Sequence, residues 1–267
     1  MKIHFFNLLC GVAFAMTYTL SAAEDLRVNE VRHYVADLRT NDAETREQAR
    51  LTLSRPEYTA RLTPYRQDLL IALTNEIESP GTAEILGRFT LPPDVSAALI
   101  SAKSTPKKVR ARLGDKAAEE EVIHDFQAAK SLVQVRATCF DLLYVGTPAA
   151  DQAFAKALGS QCVLEDVHGN QNSQVQVLLR CQILLHPEDA IVTSEELAKH
   201  ENISEANFKA PVHQDFLRRL ESVVRERWGV KVTIAPPLLS LYRNPGKLPV
   251  RVDDVAPIKT ETKSKDK

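Results

Sequence analysis

Ser104 and Lys107, spaced as Ser104-Thr105-Pro106-Lys107, carry the sharpest chemical possibility in the chain. In an S-x-x-K pair a lysine amine one turn away activates a serine hydroxyl for acyl transfer. Neither companion motif, S-D-N or K-T-G, is present, and about one such match arises by chance in a chain of this composition, so the pair alone supports no acyl transfer. No G-x-S-x-G, phosphate-cradling glycine loop or H-E-x-x-H occurs either. Beyond the N-terminus the histidines are His33, His124, His168, His186, His200 and His213. The adjacent His124 and Asp125 point in different directions, and no histidine is read as part of a metal-holding set. All six are read as surface or turn residues. The acidic groups Glu119-Glu120-Glu121, Glu188-Asp189, Glu195-Glu196 and Asp253-Asp254 stand mostly in the first turns of predicted helices, where they complement the helix dipole. No catalytic residue, metal or cofactor is assigned.

Basic residues are the better candidates. Lys107, Lys108, Arg110 and Arg112 form one cluster, and Arg218, Arg219, Arg225 and Arg227 another, in a chain with 34 Lys and Arg against 35 Asp and Glu. A positive patch on a near-neutral chain can meet an acidic partner, while a solvated helix face is the plainer alternative. The same charge balance argues against a nucleic-acid binder. The polar run from Glu165 to Asn172 reads as an inserted loop, and insertions in repeat proteins tend to mark one face, sometimes the binding face. The contact positions expected for another protein are Lys107, Lys108, Arg110 and Arg112 with His168, Asn170 and Asn172.

The elements that would position these residues read as helices. Glycine is scarce at 9 residues, and Ala, Leu, Arg and Glu dominate long stretches without β alternation. The best amphipathic segment runs from about Pro211 to Trp228, with Val212, Phe216, Leu217, Leu220, Val223, Val224 and Trp228 on one stripe and Gly229 where a helix would stop. Self-comparison adds more. The series Val133, Gln134, Val135, Cys139, Leu142, Leu143 recurs as Val175, Gln176, Val177, Cys181, Leu184, Leu185, each displaced by 42 positions. Turns follow both, Gly146-Thr147-Pro148-Ala149 and His186-Pro187-Glu188-Asp189, each leading into a second helix. The repeating unit is therefore a helical hairpin. A further helix is expected after Gly114-Asp115-Lys116-Ala117, with Val122, Ile123, Phe126 and Ala129 as its apolar stripe. Between Arg55 and Ser104 prolines permit only a loose assignment: Pro64 to Glu76, Thr82 to Thr90 and Pro93 to Ala102.

The segments Asp42-Ala43-Glu44-Thr45-Arg46-Glu47-Gln48-Ala49, Leu113-Gly114-Asp115-Lys116-Ala117 and Val135-Arg136-Ala137-Thr138-Cys139 resemble the short bacterial HEAT repeats, including those of phycobilin lyases. The resemblance spans roughly residues 31 to 200. It implies an all-α fold, a right-handed α-solenoid of degenerate HEAT-like helical hairpins, in which a turn acid and an early helix arginine brace neighbouring repeats. It says almost nothing about activity, because such repeats serve scaffolds, adaptors, inhibitors and a few enzymes.

The ends differ in kind. Lys2, the apolar run Phe5 to Leu20, and Ser21-Ala22-Ala23 before Glu24 have the form of a secretory signal. Residues 1–23 are expected to be removed and the chain exported to the periplasm or beyond, with membrane attachment only if the signal is retained. Residues 24–229 form the helical repeat domain. Residues 230–267 form an extended or disordered Pro-rich tail, with Val230 to Ile234 as a short strand or an arm. Cys139, Cys162 and Cys181 match no zinc spacing, and Cys139 and Cys181 fall on apolar helical faces as small buried hydrophobes. The function expected is a non-catalytic protein-binding scaffold or adaptor. The alternatives are an enzyme or enzyme accessory with its site in the solenoid groove, and a membrane-tethered structural protein.

Overall fold

The computed structural model describes residues 29–234 apart from 60, 161, 166–170 and 201–209. The signal segment, His168, Asn170 and the tail beyond 234 lie outside the described residues. About 70% of the described residues are helical, which bears out the all-α class.

Helix α1 covers 29–37, followed by α2 (Ala43–Leu53) and α3 (Pro56–Thr59). Next come α4 (Arg66–Leu73), α5 (Thr82–Leu86), α6 (Pro93–Ser101) and α7 (Lys107–Arg112). The longer helices are α8 (Lys116–Ala128), α9 (Leu132–Val145), α10 (Pro148–Ala157), α11 (Gln174–Leu185) and α13 (Pro211–Trp228), with the short α12 (Ser194–Lys199) before the last. Their starts are written in the sequence. Asp42, Asp115, Ser131, Thr147, Ser173 and Thr193 each accept a hydrogen bond from the backbone N–H three residues on, a cap of about 1 kcal/mol each. Ser131 and Gln134 complete a capping box. Pro93, Pro148 and Pro211 sit where a helix needs no N–H. Helix α13 runs over the span the apolar stripe predicts and ends at Gly229, whose φ of 67° is left-handed.

In the proline-rich stretch the expected helix from Pro64 to Glu76 is broken into 3₁₀ turns at Thr63–Tyr65 and Thr74–Glu76 flanking α4. The predicted Thr82 to Thr90 helix stops at Leu86, because Gly87 and the pair Pro92-Pro93 favour a turn there. The insertion after Cys162 is not all loop. Its flanks pair as an antiparallel ribbon, β1 (Val163–Glu165) with β2 (Gln171–Ser173), in the register Val163 to Ser173 and Leu164 to Asn172. Leu164 is buried while Val163 is exposed, an alternation too short to stand out in sequence.

Helix α9 is the centre of the core, packed by α7, α8, α10 and α11. The two internally matched helices, α9 and α11, therefore lie side by side. Helix α11 also touches α3, a contact between segments far apart in sequence. Helix α13 packs on α10, with Phe154 and Trp228 edge to face at 5.7 Å. After α13 the chain is an extended arm rather than a paired strand: Ile234 is buried and its N–H donates to Glu221 at 2.8 Å.

Candidate functional site

The basic cluster on α7 is spent largely within the chain. Lys107 pairs with Asp125 of α8, Lys108 with Asp141 of α9 at 3.1 Å, and Arg110 with Asp115 at 3.4 Å. All four basic residues are partly buried, and ion pairs this close to the surface contribute only about 1 kcal/mol or less each. Ser104 donates to Glu78 at 2.7 Å, so the hydroxyl and amine of the S-x-x-K pair face different partners. Asn172 lies in β2 opposite Leu164.

Arg112 does something different. Its Nε donates to the Gly87 carbonyl at 2.9 Å, and its Nη1 to the carbonyls of Tyr144 at 2.8 Å and Val145 at 3.4 Å. Carbonyls in the last turn of a helix lack helical partners and carry the negative end of its dipole. One guanidinium thus ties the ends of α5 and α7 to the end of α9. Gly146, at φ 59°, turns the chain away there, and a Cβ on it would lie 3.2 Å from Arg112.

Tyr144 anchors the same junction. It is 4% exposed, and its hydroxyl donates to the Glu84 carbonyl at 2.7 Å. Burial pushes its phenol well above the ordinary range. The Arg88 guanidinium lies 4.3 Å over its ring, with Lys108 and Arg112 farther off at 5.8 Å. The Arg88 guanidinium is drawn down to about 10, chiefly by burial, with Tyr144 opposing the shift and the Arg112 charge adding to it.

His186, which caps α11, completes the group. Its Nε2 lies 3.1 Å from the Leu143 carbonyl. A carbonyl only accepts, so the proton sits on Nε2 and the lone pair on Nδ1. Burial lowers its pKa, Arg88 and Arg112 lower it further, and the Leu143 bond and Asp189 oppose them. Arg88, Arg112 and His186 line a cleft of about 200 Å³ whose rim includes Thr63, Glu188 and Asp189. That volume is below the roughly 300–1,000 Å³ of small-molecule sites, so the cleft suits one side chain or chain end. Two guanidiniums can hold a carboxylate, while the His186 Nδ1 lone pair and the acidic rim favour a donor beside it.

Sequence reasoning placed Arg112 but missed Arg88 and Tyr144, which carry no motif and meet only because α5 and α9 end at one point. It also misread His200. That residue is 7% exposed, stacks on Phe216 at 3.9 Å, and places its Nδ1 2.9 Å from the Nδ1 of His213. It follows a six-residue polar helix, which reads as surface until α13 folds over it. Among the described residues no group of three His, Cys, Asp or Glu is arranged to hold a metal ion.

A second cavity, about 470 Å³, is flanked by Arg46 and Arg50 of α2. Both reach Glu76, at 3.7 Å and 2.5 Å, and Arg46 also donates to the Thr40 carbonyl at 2.8 Å.

The titrating groups give a direct expectation. Burial and His213 hold His200 below its ordinary value of 6.5. Glu119, buried in α8, is held below 4.5 by bonds from Lys116 at 2.7 Å and from the Thr147 hydroxyl. A histidine lowered in the fold binds its proton more readily when unfolded, so stability falls as pH drops below about 6.5. A carboxylate lowered in the fold contributes stability that is present in full above about 4.5 and is lost as pH falls through its folded value, a second step down. Urea midpoints measured from pH 8 down to about 3 should show both steps, with Glu119→Gln flattening only the lower. A midpoint unchanged between pH 7.5 and 5.5 would contradict the histidine assignment.

No family model, curated protein or solved structure matches the chain.

Proposed function

We propose that the chain is an exported, non-catalytic protein-binding scaffold or adaptor, and that its contact for a partner is the cleft between Arg88, Arg112 and His186. The observation that carries the reading is the placement of Arg88: a guanidinium sunk against Tyr144, with a second cation as its neighbour, at a cleft sized for one side chain. A guanidinium held against an aromatic face at such a cleft can add a bond to an entering carboxylate. Glu188 and Asp189 at the rim make the best ligand a peptide segment with an acid beside a base. The helices around it are proposed to be degenerate HEAT-like hairpins in a right-handed curved stack. Support comes from the matched pair α9 and α11 lying side by side, and the α3 to α11 contact would draw the two ends of the stack toward each other.

The test is crosslinking of the chain in its own cell, followed by affinity measurement with the partner recovered. Arg88→Gln should weaken binding at least tenfold, since a charged hydrogen bond contributes about 1.5–3 kcal/mol. Charge reversal at Lys107 and Lys108 should change it by less than about threefold, as expected of exposed pairs. Equal binding by Arg88→Gln and the unaltered chain would overturn the assignment. N-terminal sequencing of the mature protein tests export, with Glu24 as the expected first residue.

One observation favours the rival, an enzyme in the same cleft. His186 has its tautomer fixed by Leu143, which leaves Nδ1 as a base next to two cations. That reading requires turnover that His186→Gln abolishes, whereas the scaffold requires none.

A further inference from the structure

Cys139 and Cys181 occupy equivalent places in the internally matched helices α9 and α11, which pack against each other along the centre of the core. Both are thiols, and both are buried, at 0% and 2% exposure, whereas the third described cysteine, Cys162, is exposed. The two side chains are in hydrogen-bond contact with each other. A buried hydrophobe of this size would ordinarily meet aliphatic neighbours. Here the 42-residue displacement of the repeat sets one buried cysteine on each of two packed helices, with Cys181 the partner of Cys139.

We propose that Cys139 and Cys181 close a disulfide that staples α9 to α11 as the chain folds. The bond forms by exchange with a disulfide oxidant, such as oxidised glutathione or an oxidoreductase of the oxidising compartment. One thiolate attacks a sulfur of the oxidant and displaces the first of its thiolates, giving a mixed disulfide. The second cysteine thiolate then attacks the protein sulfur and releases the other. Two thiols of the chain are oxidised, one disulfide of the oxidant is reduced to two thiols, and the two cysteine protons end on the thiols released. Burial sets the order of events. Neither sulfur is reachable once α9 and α11 have closed, so oxidation precedes the final packing, and the finished bond is shielded from reductant. Burial, followed by the Cys181 contact, also pushes the Cys139 thiol well above its ordinary range, so the folded dithiol is a poor nucleophile. Cys162 has neither a facing cysteine among the described residues nor that shielding.

Trypsin separates the three described cysteines, because Arg136, Lys156, Arg180 and Lys199 place Cys139 on 137–156, Cys162 on 157–180 and Cys181 on 181–199. The full chain is reduced, denatured and refolded in a glutathione redox buffer, then alkylated and digested; chain taken directly from its own cell under alkylating conditions is digested in parallel. The expected product in both is 137–156 linked to 181–199, with Cys162 alkylated. The linked peptide should survive dithiothreitol under native conditions and separate only when denaturant is added. Reduction in denaturant should lower the urea midpoint by roughly 1–2 M, and the double variant Cys139→Ala/Cys181→Ala should lose that difference. Recovery of Cys139 and Cys181 alkylated in both preparations, or linkage of either to Cys162, would overturn the proposal.

Discussion

Replacing Tyr144 by alanine is expected to destabilise the fold by about 3–5 kcal/mol, the range for truncating a fully buried aromatic. Three effects converge on this residue. Its ring fills the junction of α5, α7 and α9, so truncation opens a cavity that the surrounding helix ends cannot collapse into. Its hydroxyl is the donor to the Glu84 carbonyl. Its face is where Arg88 rests, and without it that guanidinium loses its cation–π contact while remaining largely desolvated. The conservative change separates these effects. Tyr144→Phe keeps the ring and the cation–π contact and removes only the hydroxyl, so it should cost about 1–1.5 kcal/mol. Gly87→Ala probes the junction from the other side, because its Cβ would stand 2.5 Å from the Tyr144 hydroxyl oxygen and must push the ring out. Urea unfolding of the three variants checks the ordering, with Tyr144→Ala the worst. If Tyr144→Phe were as damaging as Tyr144→Ala, the ring and its cations would contribute nothing, and the junction would be held by one hydrogen bond.

This junction also marks the limit of what the sequence disclosed. Helix starts were legible, because Asp42, Asp115, Thr147 and Ser173 act on backbone groups three residues away and need no tertiary context. The span of helix α13 was legible, since its stripe is long and its stop is a left-handed glycine, although Val212, read onto that stripe, is exposed. The kinship of α9 and α11 was legible as a displacement, though not the fact that they touch. The basic residues of α7 were visible as charge, but their partners Asp125 and Asp141 belong to two other helices. Reading Lys107 and Lys108 as pairs rather than as a patch therefore needed the fold. Arg88 and His186 are harder still. They come from turns nearly a hundred residues apart, and what gives them a role is burial, which the sequence around either one does not encode.

The second large effect expected is at Phe154, where substitution by alanine should cost about 3–5 kcal/mol and also release α13. Phe154 is 1% exposed in α10 and meets Trp228 edge to face at 5.7 Å and 69°, a geometry that adds about 0.5–1.5 kcal/mol beyond burial. Helix α13 has a strongly polar outer face, with Arg218, Arg219 and Arg225 exposed, and buries Phe216, Leu217, Leu220 and Val224 on the other. It is therefore held by its apolar stripe and by the tryptophan at its end. Its polar ties include the His213 contact with His200, the Glu221 bond from Ile234, an ion pair from Arg219 to Glu196 and a bond from Arg227 to the Asp189 carbonyl, the last two at the surface and each contributing little. Trp228 is the only tryptophan in the chain, so its fluorescence reports on this contact alone. In Phe154→Ala the emission should move to longer wavelength before urea is added, and the unfolding midpoint should fall with it. A local release of α13 would shift the emission well before helix content is lost by circular dichroism, whereas coincident transitions would make α13 part of one cooperative unit. Unchanged emission together with a loss below about 1 kcal/mol would show that the aliphatic stripe alone docks the helix, and the edge-to-face pair would then be incidental to it.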